Sequence, residues 1–306
     1  MSSVISRTTK LHEFISQFFF SEETALEPIL GDAGLRSYYR VTSKNKAYIL
    51  MDCPPSYCSV QPFIDMAIFL KDNKFSAPEI FHQDVKNGFL LLEDFGTLNL
   101  KNYILTNKEL SKNTYLLMVD LLVALQSKPL PGKLQKITDE DLIAELKIFV
   151  DWYVPHAYKK ELSKKQLEEF INIWRGILKQ KTLSQPSLVL RDYHVENLMY
   201  LEKKKSLRKL GLLDFQDALI GSPVYDLVSL LEDARIDVSR TDALSCAEYF
   251  AQKKNFDVES VLVDYHLLGA QRNCRILGVF ARKAMRDHDD GYLQYIPRVL
   301  KYLKYD

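Results

Sequence analysis

The chain lacks an excess of charge of either sign. Its 306 residues contain 41 Lys and Arg against 40 Asp and Glu, which leaves a formal net charge of +1. Proteins that bind nucleic acid or an anionic membrane usually carry a strongly positive surface, because that surface attracts phosphate groups. The charge balance therefore gives no reason to expect nucleic acid or a membrane as a partner, and it favours a small-molecule ligand.

Long apolar runs and paired cysteines are also scarce. No uninterrupted apolar segment approaches the roughly 20 residues that a membrane-spanning helix needs. The apolar residues between Phe14 and Phe20 alternate with polar ones, as in an amphipathic helix, and no signal-peptide cleavage site follows. The four cysteines show no metal-ligand spacing and are too few for a disulfide framework in a chain of this length. We therefore expect a cytoplasmic protein.

Apolar residues are abundant enough for a large core. They make up 47% of the chain, against 26% charged residues, and the length allows two lobes. Leu26–Glu93 reads mostly as strands, whereas from Tyr115 onward the apolar residues recur at helical spacing. Three short apolar strands, Ser187–Leu190, Leu198–Leu201 and Leu210–Leu213, interrupt the helices. The pattern predicts an α+β fold with a β-rich N-terminal part and a mainly helical C-terminal part.

Two carboxylates and an amide lie at the ends of these short strands. Asp192 follows the first strand, Asn197 comes five residues later, and Asp214 follows the third strand. Mg²⁺ prefers oxygen ligands, and phosphoryl transfer from ATP also needs a carboxylate that accepts the proton of the acceptor hydroxyl. Each residue taken alone is more often a turn former. Together they predict a kinase site with Asp192 as catalytic base and with Asn197 and Asp214 as magnesium ligands.

This pattern resembles the aminoglycoside phosphotransferase and choline kinase family, which is related to the protein kinases. The catalytic loop of that family reads His-Gly-Asp-x-His-x-x-Asn, and its metal site reads Asp-Phe or Asp-Trp. The resemblance implies a two-lobed, protein-kinase-like fold in which Mg²⁺ and ATP bind. It matches His194 to the second histidine of the loop. Gly221–Leu227 is similar to the family's Gly-x-Pro-x-x-Asp-Leu segment, which implies that Asp226 begins a helix and supports the loop by hydrogen bonds.

The N-terminal half resembles the same family more loosely. Leu30–Val41 is similar to the glycine-containing turn that covers the ATP phosphates, with a plain β-hairpin as the alternative. The nucleotide contacts implied there are Gly31, Gly34 and Ser37. Phe89–Leu92, with the four residues that follow, is similar to the hinge strand, where backbone groups near Glu93 and Phe95 would bind adenine. We place the lobe boundary there, with a nucleotide-binding lobe at 1–95, a hinge at 93–96 and a catalytic and substrate-binding lobe at 96–306.

Two residues depart from the family pattern. Leu190 stands where the family has histidine. The third strand, Tyr48–Asp52, lacks the lysine that normally holds the α- and β-phosphates. The nearest cations that could replace this lysine are Arg36, Arg40, Lys44 and Lys46.

Several further strings resemble one branch of the family, the bacterial anomeric kinases that phosphorylate N-acetylmuramate and N-acetylglucosamine at C1 during cell-wall recycling. The strings are Gly31–Ala33 with Tyr39–Val41, Leu50–Asp52 with Pro54–Pro55, Leu91–Asp94, Arg191–Met199, Asp214–Ala218, Leu230–Arg235, and Gly269–Asn273 with Leu277–Arg282. In that branch the third strand also reads Leu-Met-Asp without a lysine. The resemblance implies an ATP-dependent sugar 1-kinase whose partners are a nucleotide and a small sugar.

A sugar site needs several convergent polar groups. The residues that we expect to supply them are His194, Glu196, Asp233, Arg235 and Arg272. Arg272 has a planar fork that suits a lactyl carboxylate, although solvated or ion-paired positions on helices are the alternative for each arginine. Two other functions stay open: a kinase for another alcohol, such as an aminoglycoside, choline or a homoserine-like amino acid, and a catalytically silent nucleotide-binding scaffold. The sequence indicates no oligomeric state.

Overall fold

The computed structural model describes residues 6–20, 23–29, 36–44, 46–132 and 134–306. Contacts within the chain divide these residues into two units. The first unit contains the described residues up to Leu98 together with Met199–Asp217, and the second contains Asn99–Leu198 and Ala218–Asp306. The division of the chain into a nucleotide lobe at 1–95 and a catalytic lobe at 96–306 stays a prediction.

The strands predicted in the N-terminal part form one antiparallel sheet in the first unit. Its spatial order is β1-β2-β3-β5-β4. The strands are β1 (Ala25–Ile29), β2 (Ser37–Ser43), β3 (Lys46–Asp52), β4 (Ile80–Asp84) and β5 (Phe89–Glu93). Tyr, Val, Ile and Leu dominate the central strands, and such side chains suit a pleated, buried surface.

Two helices complete this part of the first unit, α1 (Arg7–Phe19) and α2 (Gln61–Asp72). The amphipathic helix predicted near Phe14 is confirmed as α1, which begins where the Ser6 hydroxyl accepts the Thr9 N–H. Four of its side chains pack on the sheet, and burying each one contributes about 1.5–3 kcal/mol. These are Leu11, Phe14, Ile15 and Phe19, which contact Val41, Leu50, Phe89 and Leu91.

A short hairpin, β7 (Leu198–Tyr200) and β8 (Leu210–Leu212), precedes Asp214. The hairpin is bonded to the segment after α2, because the Leu212 N–H donates to the Ser76 carbonyl at 2.8 Å. In the other direction, the Ser76 hydroxyl donates to the Arg208 carbonyl at 2.8 Å. These bonds join the segment that carries Asp214 to the first unit.

The second unit is mainly helical, and its strands β6 (Ser187–Val189) and β9 (Leu219–Gly221) form a two-stranded antiparallel sheet. The helices are α3 (Leu100–Thr106), α4 (Ser111–Gln126), α5 (Asp139–Glu145), α6 (Val154–Tyr158), α7 (Lys164–Leu178), α8 (Tyr225–Leu231), α9 (Arg240–Lys254), α10 (Val258–Asp287) and α11 (Ile296–Leu303), with a π-helical turn at Phe149–Tyr153. The predicted α+β, protein-kinase-like architecture with a β island before and after the catalytic loop is confirmed.

Helix α10 forms the centre of the second unit and packs against α8, α9, α11 and the π-helical turn. Gly278 allows the closest of these approaches, because a Cβ there would lie 2.5 Å from the backbone of Ile148 and Phe149. A larger residue at this position would push the turn away from the helix. The apolar core around this contact includes Tyr153, Ala234, Ile276, Leu277, Phe280, Ala281 and Val299.

Two expectations from composition concerned disulfides and membrane-spanning segments. The structure joins Cys53 and Cys58 in a disulfide, which spacing alone did not predict. Cys246 and Cys274 are buried free thiols. Within the described ranges, every helix is too short or too polar to cross a membrane.

Candidate active site

The loop that carries Asp192 joins β6 to β7 and is held at its first half by Asp226. The Asp226 carboxylate accepts the N–H of Leu190 at 2.6 Å and the N–H of Arg191 at 2.9 Å. Asp226 is completely buried at the start of α8. Burial raises the pKa of Asp226 to about 7, although the two backbone donors favour the charged form. Asp226 thus fixes the two residues that precede Asp192.

The second half of the loop is held by Asp233, which is also completely buried. Its carboxylate accepts the Val195 N–H at 3.3 Å and the Arg235 N–H at 2.9 Å. Arg235 in turn pairs with Glu196 at 2.8 Å, and Lys101 pairs with the same glutamate at 2.7 Å. The three residues that we predicted as sugar ligands here therefore have partners within the protein, and a substrate contact would replace one of these bonds.

Asn197 and His194 are hydrogen-bonded to each other and to the backbone of Asp192. The Asn197 amide nitrogen lies 3.0 Å from the Asp192 carbonyl oxygen and 3.2 Å from His194 Nε2. Because an amide N–H donates, His194 Nε2 accepts and the ring proton lies on Nδ1. Burial lowers the pKa of His194 well below its ordinary value, so the ring is neutral. The amide nitrogen faces this network, so Oδ1 is the Asn197 atom suited to a metal ion.

Asp214 belongs to the first unit, where it has a left-handed backbone with φ of 53°. The Gln216 amide donates to the Asp214 carboxylate at 2.6 Å and to Asp217 at 3.2 Å. The next residue, Phe215, is fully buried and stacks on Phe63 of α2 with ring centroids 4.8 Å apart. Phe215 therefore anchors the segment that follows β8, while the neighbouring Asp214 is exposed at that end of the hairpin. Asn197 and Asp192 belong to the second unit, so a magnesium site shared by Asn197 and Asp214 stays a prediction.

The structure describes three of the five residues that we predicted to contact the nucleotide. Gly31 and Gly34 lie outside the described residues, whereas Ser37 is exposed at the start of β2 and pairs in register with Asp52. The Glu93 N–H donates to the Glu79 carbonyl at 2.8 Å, so a bond to adenine would fall to another backbone group of the hinge. The Phe95 ring packs on β8, where a Cβ on Gly211 would lie 2.8 Å from it.

Two of the predicted substitutes for the absent lysine have clear surroundings. Arg40 is committed to Asp94 at 2.6 Å and 3.3 Å. Arg36 lies 4.0 Å from Asp217, and its Nε is buried without a hydrogen-bond partner among the described residues. Burial raises the pKa of Tyr38 to about 12, with a further contribution from the negative charge of Asp214. Arg36 and Asp214 therefore belong to one local group of charges in the first unit.

Arg272, predicted to bind a carboxylate, is buried on α10 in the second unit. It donates to the Ser229 hydroxyl at 2.8 Å, and its Nε and Nη1 have no hydrogen-bond partner among the described residues. Burial lowers the pKa of Arg272, while the nearby carboxylates of Asp192 and Asp233 oppose that shift. Arg272 thus contributes positive charge near the predicted base, and any ligand would have to reach it inside the core.

Two residues near the loop were missed by the sequence pattern. Glu145 ends α5 and pairs with Arg191, while Arg275 of α10 lies 3.4 Å from the same carboxylate. Neither residue belongs to a recognisable string, and each is far from Asp192 along the chain. Only the folded arrangement brings them to the loop.

The fold places the protein in the class of protein-kinase-like folds. The structure is similar to that of the ADP-bound aminoglycoside phosphotransferase APH(2'')-Ib, with a TM-score of 0.64 and 15% identity over 96% of each chain. A similarity at this identity establishes the fold alone.

The sequence comparisons narrow this class. The family model of the phosphotransferase enzyme family matches residues 25–259, and the chain belongs to that family. An N-acetylmuramate/N-acetylglucosamine kinase of Caulobacter vibrioides is 32% identical and covers 90% of this chain and 86% of its own length. A kinase of the same name from Neisseria meningitidis serogroup B is 30% identical over 98% of this chain and 91% of its own length. The chain is therefore a kinase.

Proposed function

We propose that this kinase transfers the γ-phosphoryl group of ATP to the C1 hydroxyl of N-acetylmuramate or N-acetylglucosamine. The observation that carries the proposal is the similarity, over nearly the whole length of both chains, to kinases named for these two sugars. The chain also carries Asp192, Asn197 and Asp214 at the positions that match the family's catalytic and metal-site motifs. The ADP-bound structural neighbour supports a nucleotide as the donor.

In the proposed reaction the hydroxyl oxygen of the sugar attacks the γ-phosphorus of ATP. The new O–P bond forms as the bond to the β-phosphate oxygen breaks, and ADP leaves with the electron pair. Asp192 accepts the hydroxyl proton, since it is the carboxylate in the loop whose backbone is fixed on both sides by Asp226 and Asp233. Asp192 would thus orient the acceptor and remove its proton.

The donor set suits magnesium, because the Asp214 carboxylate and the Asn197 amide supply hard oxygen atoms. Within the described residues, no three His, Cys, Asp or Glu side chains converge as a metal site by themselves. The other ligands of such an ion would be phosphate oxygens and water. When bound, the ion would neutralise charge on the β- and γ-phosphates.

For the role of the missing lysine we propose Arg36. It lies beside Asp217 and near Asp214, and it has a buried donor that no described residue accepts. Arg40 suits the role less well, because Asp94 already occupies its guanidinium. An arginine also presents a fork of donors that matches phosphate oxygens.

The acceptor and the position of transfer can be tested together. Purified protein is incubated with magnesium-ATP and each of N-acetylmuramate, N-acetylglucosamine, the methyl glycoside of N-acetylglucosamine, choline and an aminoglycoside, and products are read by mass spectrometry and ³¹P NMR. We expect a sugar 1-phosphate from the two free sugars and no product from the methyl glycoside, whose C1 oxygen is blocked. Phosphorylation of the methyl glycoside would place transfer at another hydroxyl. Turnover of choline or the aminoglycoside alone would replace the proposed acceptor.

A further inference from the structure

The residue that precedes the predicted base has an unfavourable backbone conformation. Arg191 has φ of 69°, in the left-handed region that glycine adopts readily and that a residue with a Cβ avoids. Such a conformation persists only where surrounding contacts hold it. Because the backbone of Arg191 leads directly into Asp192, this conformation sets the direction of the Asp192 side chain.

Two side chains of one helix bind the backbone of Arg191. The Asp226 carboxylate accepts its N–H, and the Ser229 hydroxyl lies 3.2 Å from its carbonyl oxygen as a donor. Both partners belong to α8. These bonds fix the peptide groups, yet they leave the side chain of Arg191 to be held from elsewhere.

The side chain is held by Glu145 at the end of α5. The Arg191 guanidinium donates to one carboxylate oxygen of Glu145, and Arg275 Nε lies 3.4 Å from the other. All three side chains are largely withdrawn from solvent, with 22–23% exposed, so water screens their attraction less than at an open surface. Tyr225 at the start of α8 lies close enough to Arg275 to influence its pKa. Glu145 therefore connects α5, the catalytic loop and α10.

Helix α5 is well suited to present Glu145 at a fixed place. It begins with a capping box, in which Thr138 accepts the Asp141 N–H while the Asp141 carboxylate accepts the Thr138 N–H. Leu142 and Ile143 of this helix are buried in the second unit. The Gln271 amide of α10 donates to the Leu142 carbonyl at 2.9 Å. The carboxylate thus extends from a helix that is fixed at its start and along its length.

We propose that Glu145 is a positioning residue for phosphoryl transfer: through its ion pair with Arg191 it maintains the left-handed turn that orients Asp192. This inference rests on the proposed function in so far as Asp192 is the base. Loss of the ion pair would let Arg191 relax toward an ordinary backbone conformation and displace the base. Displacing a reacting group by about 1 Å can slow a reaction about 100-fold.

The test uses four variants that separate the ion pair from the backbone conformation. Arg191→Ala removes the ion pair and keeps a Cβ, Arg191→Gly removes the ion pair and accepts the left-handed backbone, and Glu145→Gln removes the negative charge with little change in shape. The fourth variant combines Glu145→Gln with Arg191→Gly. Lys147→Gln is the matched control, because Lys147 pairs with Asp151 on the exposed surface two residues after Glu145.

We expect kcat to fall at least about tenfold in Arg191→Ala and Glu145→Gln, while KM for ATP changes less than about twofold. Arg191→Gly should recover kcat to within about threefold of the wild type, because glycine adopts the turn without the ion pair. Adding Glu145→Gln to Arg191→Gly should change nothing further, and the control should match the wild type. The proposal would be overturned if kcat fell equally in Arg191→Gly and Arg191→Ala. It would also be overturned if Glu145→Gln lowered kcat in the Arg191→Gly background as much as it does in the wild type.

A second measurement needs no substrate and so separates this inference from the acceptor proposal. Hydrogen–deuterium exchange over residues 188–197 of the free protein should be faster in Glu145→Gln and Arg191→Ala than in the wild type, and near the wild-type rate in Arg191→Gly. If the wild type phosphorylates no sugar but the variants show this order of exchange rates, the proposed acceptor is wrong and the positioning role of Glu145 stands. Unchanged exchange in Glu145→Gln would refute the positioning role whatever the substrate.

Discussion

The catalytic loop and the start of β2 satisfy their charged groups in different ways. Around the loop, two carboxylates with no solvent exposure, Asp226 and Asp233, accept backbone N–H groups on either side of Asp192. At the start of β2, Arg36 keeps 22% of its side chain exposed, and among the described residues Asp217 lies 4.0 Å from it as a distant carboxylate partner. The loop is organised before any ligand binds, whereas Arg36 keeps a buried Nε donor that no described residue accepts.

The difference matches the two tasks of a kinase. A base must be held within a fraction of an ångström of the proton that it accepts. A cation that binds phosphate can adapt, since phosphate oxygens accept hydrogen bonds from several directions. We therefore expect substitutions around the loop to change kcat strongly, and a substitution at Arg36 to change chiefly the affinity for ATP.

The largest effect is expected for Asp192→Asn. The amide cannot accept the hydroxyl proton, and a general base typically contributes about 10²–10⁴-fold to the rate. Turnover should fall by about that factor while the dissociation constant for magnesium-ATP stays within about threefold of the wild type, as measured by single-turnover kinetics and calorimetry. Lys147→Gln offers a control, since Lys147 pairs with Asp151 on the exposed surface away from the loop. Wild-type turnover in Asp192→Asn would remove the proposed role of Asp192.

The next effect is expected for Asp226→Asn, which tests whether a buried carboxylate fixes the loop. The asparagine offers one acceptor oxygen to two backbone donors, so one N–H would face an amide NH₂. Leaving a buried donor unpaired costs about 1–3 kcal/mol. We expect a lower thermal midpoint at neutral pH and kcat reduced about 10-fold or more, since the loop would shift.

The same carboxylate makes a signed prediction for pH. The pKa of Asp226 is raised by burial to about 7 in the folded protein and lies near 3.8 when the chain is unfolded. The unfolded state therefore releases this proton first, and the contribution of Asp226 to stability is fully present below about pH 4 and is lost as the pH rises toward 7. Unfolding by denaturant at pH 4.5 and pH 7.5 should show the wild type losing stability relative to Asp226→Asn at the higher pH. A difference that is independent of pH would contradict the raised pKa.

The sequence predicted much of this arrangement because the relevant residues lie close together along the chain. Asp192 and Asn197 fall in one short string whose spacing suggested their roles, and the resemblance of a second string to a family segment suggested that Asp226 supports the loop. Strands and helices followed from apolar periodicity, which reflects burial on one face. These features depend on neighbours in sequence, which a single chain displays directly.

Other features depend on contacts between distant segments and left no local signal. Glu145 reaches Arg191 across 46 positions, and the end of α5 and the middle of α10 meet only after folding. Glu196 and Arg235 were predicted as sugar ligands from their polar character, but the structure pairs them with each other. A polar residue near a motif does not reveal in the sequence whether its partner is a substrate or another side chain.

The smallest effect is expected for Arg36→Ala, which tests the role of the start of β2. If Arg36 binds the ATP phosphates, its loss removes a charged hydrogen bond worth about 1.5 kcal/mol, the lower end of the usual range because the side chain is partly exposed, which corresponds to a KM for ATP raised about 10-fold. kcat should fall less than threefold, because Arg36 adapts to the nucleotide and does not orient the acceptor. Lys46→Ala is the matched control, since Lys46 is an exposed cation at the start of β3. Arg36→Lys should recover most of the affinity if charge is what matters. A KM unchanged in Arg36→Ala, or raised equally in Lys46→Ala, would assign the phosphates to another cation and leave the start of β2 without a role in binding ATP.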